Sequence, residues 1–195
     1  MPDLQKLRKT LRARRRELTE TDAQTCAREL AKIARHHPLL LKSRRIATFL
    51  ANDGEMDPLP LMHSLWSLGK TLYLPVLVPF NCDRLMFARF EPGDPLVFNR
   101  YGILEPVTRH LIKPSALDLV LAPLVAFDTQ GHRIGMGGGF YDRSFAFLRC
   151  RSHWKQPRML GIAYEFQKQN TIQPNDWDIP LDAIATESAF YVTNQ

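Results

Sequence analysis

The chain has 195 residues, 45% of them hydrophobic, a formal charge of +6 at neutral pH and three widely separated cysteines, Cys26, Cys82 and Cys150. Such a length and hydrophobic content suit a single domain over residues 1–195 and exclude a disordered or fibrous chain, while isolated cysteines exclude a disulfide framework and a zinc ribbon and fit a reducing cytoplasm. The N-terminus lacks the apolar core of a secretory signal, and the longest apolar run, Leu119 to Phe127, is too short for a membrane span and is interrupted by Pro123.

Two helices are predicted first, over 3–18 and 20–36. In the first, Leu4, Leu7, Leu11 and Leu18 recur at spacings of 3, 4 and 7, the stripe of an amphipathic helix docked on a core. Thr19 and Asp22 are spaced as the start signal of the second. Residues 1–45 hold 13 Lys/Arg against 5 Asp/Glu, net +8, whereas the rest of the chain holds 13 against 15, net −2. The basicity therefore belongs to the opening helices, as a solvated face, as attraction to a small polyanion, or as a nucleic-acid surface.

A strand follows at Arg45 to Leu50. Asp57-Pro58 then reads as an N-cap with proline at the first helical position, opening a helix to Leu68 that stops at Gly69. Strands are predicted at Thr71 to Leu77 and Leu85 to Phe90, an irregular proline-rich connection from Pro92 to Pro106, and a buried strand from Leu119 to Phe127. A helix over 139–149, a strand at Met159 to Ala163, a short helix near Glu165 and a closing strand at Ala183 to Thr186 complete an alternating α/β pattern. Ligands of open α/β sheets sit beyond the carboxyl ends of the strands. Leu50 to Glu55, the segment after Phe127, and Tyr164-Glu165 all fall there.

The segment after Phe127 carries the chemistry. Arg133 to Arg143 reads Arg-Ile-Gly-Met-Gly-Gly-Gly-Phe-Tyr-Asp-Arg, with four glycines, two arginines and a carboxylate. Without Cβ atoms the glycines let backbone N–H groups approach an anion, and the residues behind them suit the first turn of a helix. Arg133 and Arg143 offer forked donors to phosphate oxygens, and Asp142 offers an oxygen to Mg²⁺. The spacing fits neither a P-loop nor a dinucleotide-binding fingerprint. There is no nucleophile elbow and no His-x-x-x-His pair, and His36-His37 and His132 read as surface or loop residues.

Taken together, the chain resembles the 5-formyltetrahydrofolate cyclo-ligase family nearly end to end. The likeness is carried by Leu7-Arg8-Lys9-Thr10-Leu11-Arg12, Phe49 to Glu55, Gly69-Lys70, Tyr101 to Pro106, Pro123 to Asp128, the glycine loop, and Asp178 to Asp182. It implies a three-layer α/β/α fold like that of sugar-phosphate isomerases and CoA transferases. It also implies ATP-dependent closure of 5-formyltetrahydrofolate to 5,10-methenyltetrahydrofolate, with the formyl oxygen attacking the γ-phosphorus, ATP as co-substrate and Mg²⁺ as cofactor, in a cytoplasmic monomer that uses neither nucleic acid nor membrane. Phosphoryl transfer rests mainly on positioning and charge neutralisation, so no protein nucleophile is required.

Carried onto this chain, the resemblance implies that Arg8 and Arg133 face ATP, with Gly135, Gly137, Gly138, Gly139 and Arg143 about its phosphates. Leu50 and Glu55 contact the folate, and Met136 to Phe140 lie between the substrates. Asp142 and Asp178 hold Mg²⁺, with Arg133 and Asp142 acting in catalysis. Two positions depart from the family pattern. Leu4 stands where a lysine is common, leaving Lys6 or Lys9 as replacements, and Phe140-Tyr141 replaces a tyrosine pair. The rival expectations are a sugar-phosphate isomerase or CoA transferase on the same architecture, or an RNA-associated protein using the basic helix.

Overall fold

The computed structural model describes residues 3–77, 84–107, 110–151 and 156–193; Cys82 lies outside them. Helix α1 (Leu4–Glu17) starts at Asp3, whose side chain accepts from the Gln5 N–H, and ends on Arg14, Arg15 and Arg16 beside the negative end of the helix dipole. Helix α2 (Glu20–Ala34) is capped by Thr19, which accepts from the Asp22 N–H at 3.1 Å. A short α3 (Pro38–Lys42) follows, beyond the elements expected from the sequence. His37 caps it through Nδ1 and stacks on Phe190, so this histidine is structural.

Strand β1 (Arg45–Ala47) is shorter than expected, and the chain then runs out to α4 (Leu59–Ser67), where Asp57 accepts from the Leu59 N–H at 2.9 Å. Strands β2 (Thr71–Leu77) and β3 (Leu85–Arg89) come next. The stretch expected to be irregular contains a hairpin, β4 (Leu96–Phe98) with β5 (Leu104–Pro106), followed by a two-residue β6 (Leu111–Ile112). The turn residue Asn99 organises that hairpin, its Oδ1 accepting from the N–H groups of Tyr101 and Ile103.

The predicted 119–127 strand is two strands. β7 (Leu119–Pro123) belongs to the main sheet, and β8 (Ala126–Phe127) pairs instead with β9 (Arg133–Ile134). Pro123 has no N–H to continue the ladder, and the Val125 N–H turns to the Ile134 carbonyl at 2.7 Å. The buried Asp128 closes the turn, accepting from the backbone of Gln130, His132 and Ile172 and contacting the His132 ring.

The helix expected over 139–149 is α5 (Phe140–Phe145) followed by a 3₁₀ segment at Ala146–Cys150. Phe145, Phe147 and Leu148 all pack on one cluster. β10 (Arg158–Ile162), a 3₁₀ turn at Glu165–Gln167, β11 (Ala183–Ala185) and an unpredicted edge strand β12 (Phe190–Val192) complete the chain.

The main sheet has the order β12-β11-β10-β7-β1-β2-β3-β6. The central pairs β10/β11, β10/β7, β7/β1 and β1/β2 are parallel, and β12, β3 and β6 join antiparallel. Side chains alternate across it. Ile46, Leu72, Leu119, Leu121, Leu160 and Ile162 meet α2 and α4 on one face, while Ala47, Tyr73, Val120, Ala122 and Met159 meet α5 and its 3₁₀ extension on the other. Each large side chain so buried contributes about 1.5–3 kcal/mol. Gly161 marks where the chain presses closest: a Cβ there would meet Leu181 at 2.7 Å and Leu124 at 2.8 Å.

β1 and β7 lie side by side, yet their connections leave in opposite directions, through α4 to β2 and through α5 to β10. That is the topological switch point of a doubly wound sheet, where a crevice opens at the carboxyl ends. Helix α1 lies across this end, packing Leu11 and Leu7 on Val125, Ala126, Ile134 and Ile172. Among the described residues, no helix is long and apolar enough to cross a membrane.

Candidate active site

The glycine loop after β9 borders the crevice. Gly137 and Gly139 take φ of +105° and +63°, which residues with a side chain rarely adopt, and a Cβ on Gly139 would displace the Arg143 guanidinium, 2.7 Å away. Arg8 donates from Nε to the Gly135 carbonyl at 2.9 Å, and Arg143 donates to the Gly138 carbonyl at 2.6 Å. With its carbonyls held by arginines, the loop leaves its donors free. Among the described residues, none of the backbone N–H groups from Met136 to Asp142 donates to a protein acceptor. Arg143 also lies over the Phe140 ring, and Tyr101 at the hairpin tip meets Phe140 edge-on at 5.7 Å. The helix behind the loop is only six residues long, so loop N–H groups and arginines supply most of the positive potential.

Arg133 is turned inward. Its guanidinium, 6% exposed, bonds the Ile179 carbonyl and sits 2.5 Å from Asp142 Oδ1, which also accepts from the Ile179 N–H at 3.1 Å. Asp178, one residue before Ile179, accepts through Oδ2 from the backbone and side chain of Asn175. Each carboxylate keeps one oxygen without a protein partner among the described residues. No group of three or more His, Cys, Asp or Glu gathers among those residues. A cation here would rest on two carboxylates plus ligand phosphates and water, the donor set Mg²⁺ commonly takes, so Asp142 and Asp178 fit it.

The opposite wall is the loop after β1. Asp53 and Gly54 adopt positive φ in succession, 52° and 71°. A Cβ on Gly54 would meet the Arg15 backbone at 3.0 Å, which shows how closely the loop lies on α1. Glu55 is half-buried behind this turn, with Oε2 accepting from the Asn52 N–H at 3.2 Å. Burial pushes its carboxyl from an ordinary 4.5 up to about 7, against the opposing charge of Arg15. Leu50 packs on the edge of the core. Burial likewise raises the Tyr141 hydroxyl, with the Glu55 charge adding and Arg133 opposing.

To the expected Arg8, helix α1 adds Arg12, Arg15 and Arg16, which were not among the expected site residues. Arg8, Arg12 and Arg15 share a face at i, i+4 and i+7. Arg15 is 2% exposed and donates to the Leu124 carbonyl at 3.3 Å and to the Asp53 carbonyl and Oδ2 at 3.1 Å each, and it touches Met136 Sδ at 3.9 Å. Arg12 and Arg16 also grip Asp53, at 2.6 and 2.9 Å. Burial would raise the Asp53 carboxyl, but Arg12 foremost, then Arg16 and Arg15, hold it below the ordinary range. The signal was present: Arg15 falls on the leucine stripe between Leu11 and Leu18.

Leu4 is 44% exposed and, four residues before Arg8, lies on the face of Arg8; Lys6 and Lys9 point elsewhere around the helix and are exposed. A separate cleft of about 530 Å³, lined by His37, Lys42, Arg44, Asp118 and Arg158, lies at the opposite edge of the sheet, before β1, β7 and β10, and none of the predicted site residues reaches it.

A switch-point crevice walled by an arginine-lined helix, a carboxylate loop and a glycine loop with free donors defines an α/β enzyme of nucleotide chemistry. The match to known proteins is specific. The family model for the 5-formyltetrahydrofolate cyclo-ligase family matches residues 1–187, and the chain belongs to that family. It is 42% identical to 5-formyltetrahydrofolate cyclo-ligase of Escherichia coli (strain K12) over 91% of this chain and 97% of that one. It is 34% identical to the Haemophilus influenzae protein of the same name, over 91% and 94%. Among solved structures, 5,10-methenyltetrahydrofolate synthetase of Aquifex aeolicus superposes with a TM-score of 0.81 at 28% identity, covering 98% of this chain and 93% of that one. The isomerase, CoA-transferase and RNA-associated alternatives find no support among these relatives.

Proposed function

We propose that this protein closes 5-formyltetrahydrofolate to 5,10-methenyltetrahydrofolate with conversion of ATP to ADP and phosphate. We propose also that it does so as one domain over residues 1–195, on a three-layer α/β/α architecture of the kind found in sugar-phosphate isomerases and CoA transferases. The observation that carries the reading is the run of N–H groups from Met136 to Asp142, which donate to no acceptor among the described residues, in the glycine loop of a member of this family.

In this reading the ATP phosphates lie on the glycine loop, where the free N–H groups and Arg8 neutralise charge and Arg143 keeps the Gly138 carbonyl turned away. Arg133 acts by holding Asp142 in place. Asp142 and Asp178 hold Mg²⁺, which when bound would offset phosphate charge. Leu50 and Glu55 hold the folate, Glu55 accepting in its ionised form from the pterin N–H groups. The formyl oxygen attacks the γ-phosphorus and ADP leaves. The 10-nitrogen then closes on the formyl carbon and loses its proton, and the C–O bond breaks to release phosphate. The site's task is to hold oxygen and phosphorus in line and to keep water away.

Arg8, Arg12, Arg15 and Arg16 of the basic helix are bonded within the protein at this site, which supports a role for them here. The test follows the ultraviolet absorbance of methenyltetrahydrofolate on mixing protein, 5-formyltetrahydrofolate, ATP and Mg²⁺. Product and ADP form in equal amounts, and an undiminished rate after nucleotide removal and chelation would refute the assignment.

A further inference from the structure

Helix α1 connects two loops that are otherwise separate. Among the described residues, no hydrogen bond runs between the loop at 48–57 and the segment at 124–143. Both are bonded to α1 instead. On the glycine-loop side, Arg8 holds the Gly135 carbonyl, and Arg15 holds the Leu124 carbonyl and touches Met136. On the other side, Arg12, Arg15 and Arg16 converge on Asp53. Among the described residues, Arg15 is the one bonded to both. Its side chain is fully buried, and its Nε has no partner among the described residues. A buried guanidinium with an unmet donor is costly to hold in place, and the fork geometry that spans both loops is what Lys could not reproduce.

We propose that Arg15 and its Asp53 counter-ion are positioning residues that make the two substrates bind cooperatively, folate ordering the 48–57 loop and ATP ordering the glycine loop against the same buried guanidinium. The inference rests on the functional reading above. In this proposal Arg15 and Asp53 act through the loops they hold. The physical content is a coupling free energy: once one loop is fixed on Arg15, the other meets a partner already in place, and the ordering cost is met once instead of twice.

The test is a binding cycle on the intact chain. The affinity of a β,γ-imido ATP analogue, which cannot transfer its phosphoryl group, is measured with Mg²⁺ by calorimetry, with and without saturating 5-formyltetrahydrofolate. Wild type should bind the analogue about fivefold tighter or more in the presence of folate, the low end of ordinary coupling. Asp53→Asn removes the charge while keeping a residue that tolerates the left-handed turn, and Arg15→Lys keeps the charge while losing the fork. In both, coupling should fall below about twofold while each ligand alone still binds within about fivefold of wild type. Since either variant could lose stability, melting curves establish folding before titration, and one folded variant suffices. Coupling retained in a folded variant, or absent from wild type that binds both ligands, overturns the proposal. Wild type that binds neither ligand overturns the functional reading and the proposal with it.

Discussion

Replacing Glu55 by glutamine tests the carboxylate loop directly. In the fold burial raises the Glu55 carboxyl from 4.5 to about 7. Between these values the folded protein holds a proton that the unfolded chain has lost, so stability is full below about pH 4.5 and falls as the pH rises through 7. A shift of this size, at about 1.4 kcal/mol per unit, bounds the loss at about 3 kcal/mol. Because Glu55 is half-buried, solvent relaxation brings the expected figure to about 1–2 kcal/mol. Glutamine does not titrate, and the groups common to both proteins cancel in the difference. Thermal unfolding at pH 5, 6, 7 and 8 should therefore show the Tm of Glu55→Gln gaining on wild type by roughly 2–8 °C across the range, given about 2–4 °C per kcal/mol for a chain of this size. Wild-type folate affinity should rise as the pH passes 7, and the variant should bind folate roughly tenfold weaker at pH 8 with ATP affinity near normal. Tm curves that stay parallel would refute the burial argument, and an equal loss for ATP would place Glu55 in the other pocket.

Other outcomes are equally specific. Arg133→Ala and Asp142→Asn should each lower turnover on the order of 10²–10³-fold while remaining folded by circular dichroism; near-normal rates in both would remove them from the mechanism. Gly139→Ala, strained by its positive φ and pressed against Arg143, should weaken ATP binding in calorimetry, and unchanged affinity would mean that the loop does not cradle phosphate. Leu4→Lys should leave Tm within the change of about 0.5 kcal/mol usual at surface sites and tighten ATP by up to roughly 1 kcal/mol, since Leu4 is exposed on the face of Arg8; unchanged ATP affinity would discard the missing-cation idea.

What could be read from the residues followed from periodicity. Leu7, Leu11 and Leu18 of the α1 stripe, the Thr19 cap of α2 and the apolar run of β2 each agree with their structures because local preference and tertiary burial point the same way, whereas Leu4, expected on the same stripe, is exposed. The failures are places where they diverge. Val97 and Phe98 are exposed, so β4 carries no buried face to betray it, and β12 is a short edge strand. Pro123 was visible, but its effect depended on where the Val125 N–H found a partner, which lies in β9. In the site, the glycine loop was legible because its composition has few other uses. Arg15 was not, because an arginine among arginines reads as solvated until its counter-ion at Asp53, 38 residues away, is brought against it.

Gly161 gives the site a vulnerability remote from any ligand. Its missing side chain makes room for Leu124, and the Leu124 carbonyl receives both Arg15 and Gln167. Even a methyl group in the middle of β10 would thus push on the anchor of the buried guanidinium. In a catalogue of natural variants, alanine at this position would look like a mild change inside a sheet. The crowding falls on the side chains of Leu181 and of Leu124, the residue that anchors Arg15, so the change costs about 1–3 kcal/mol of stability, as overpacking does, at a place remote from every residue assigned to a ligand.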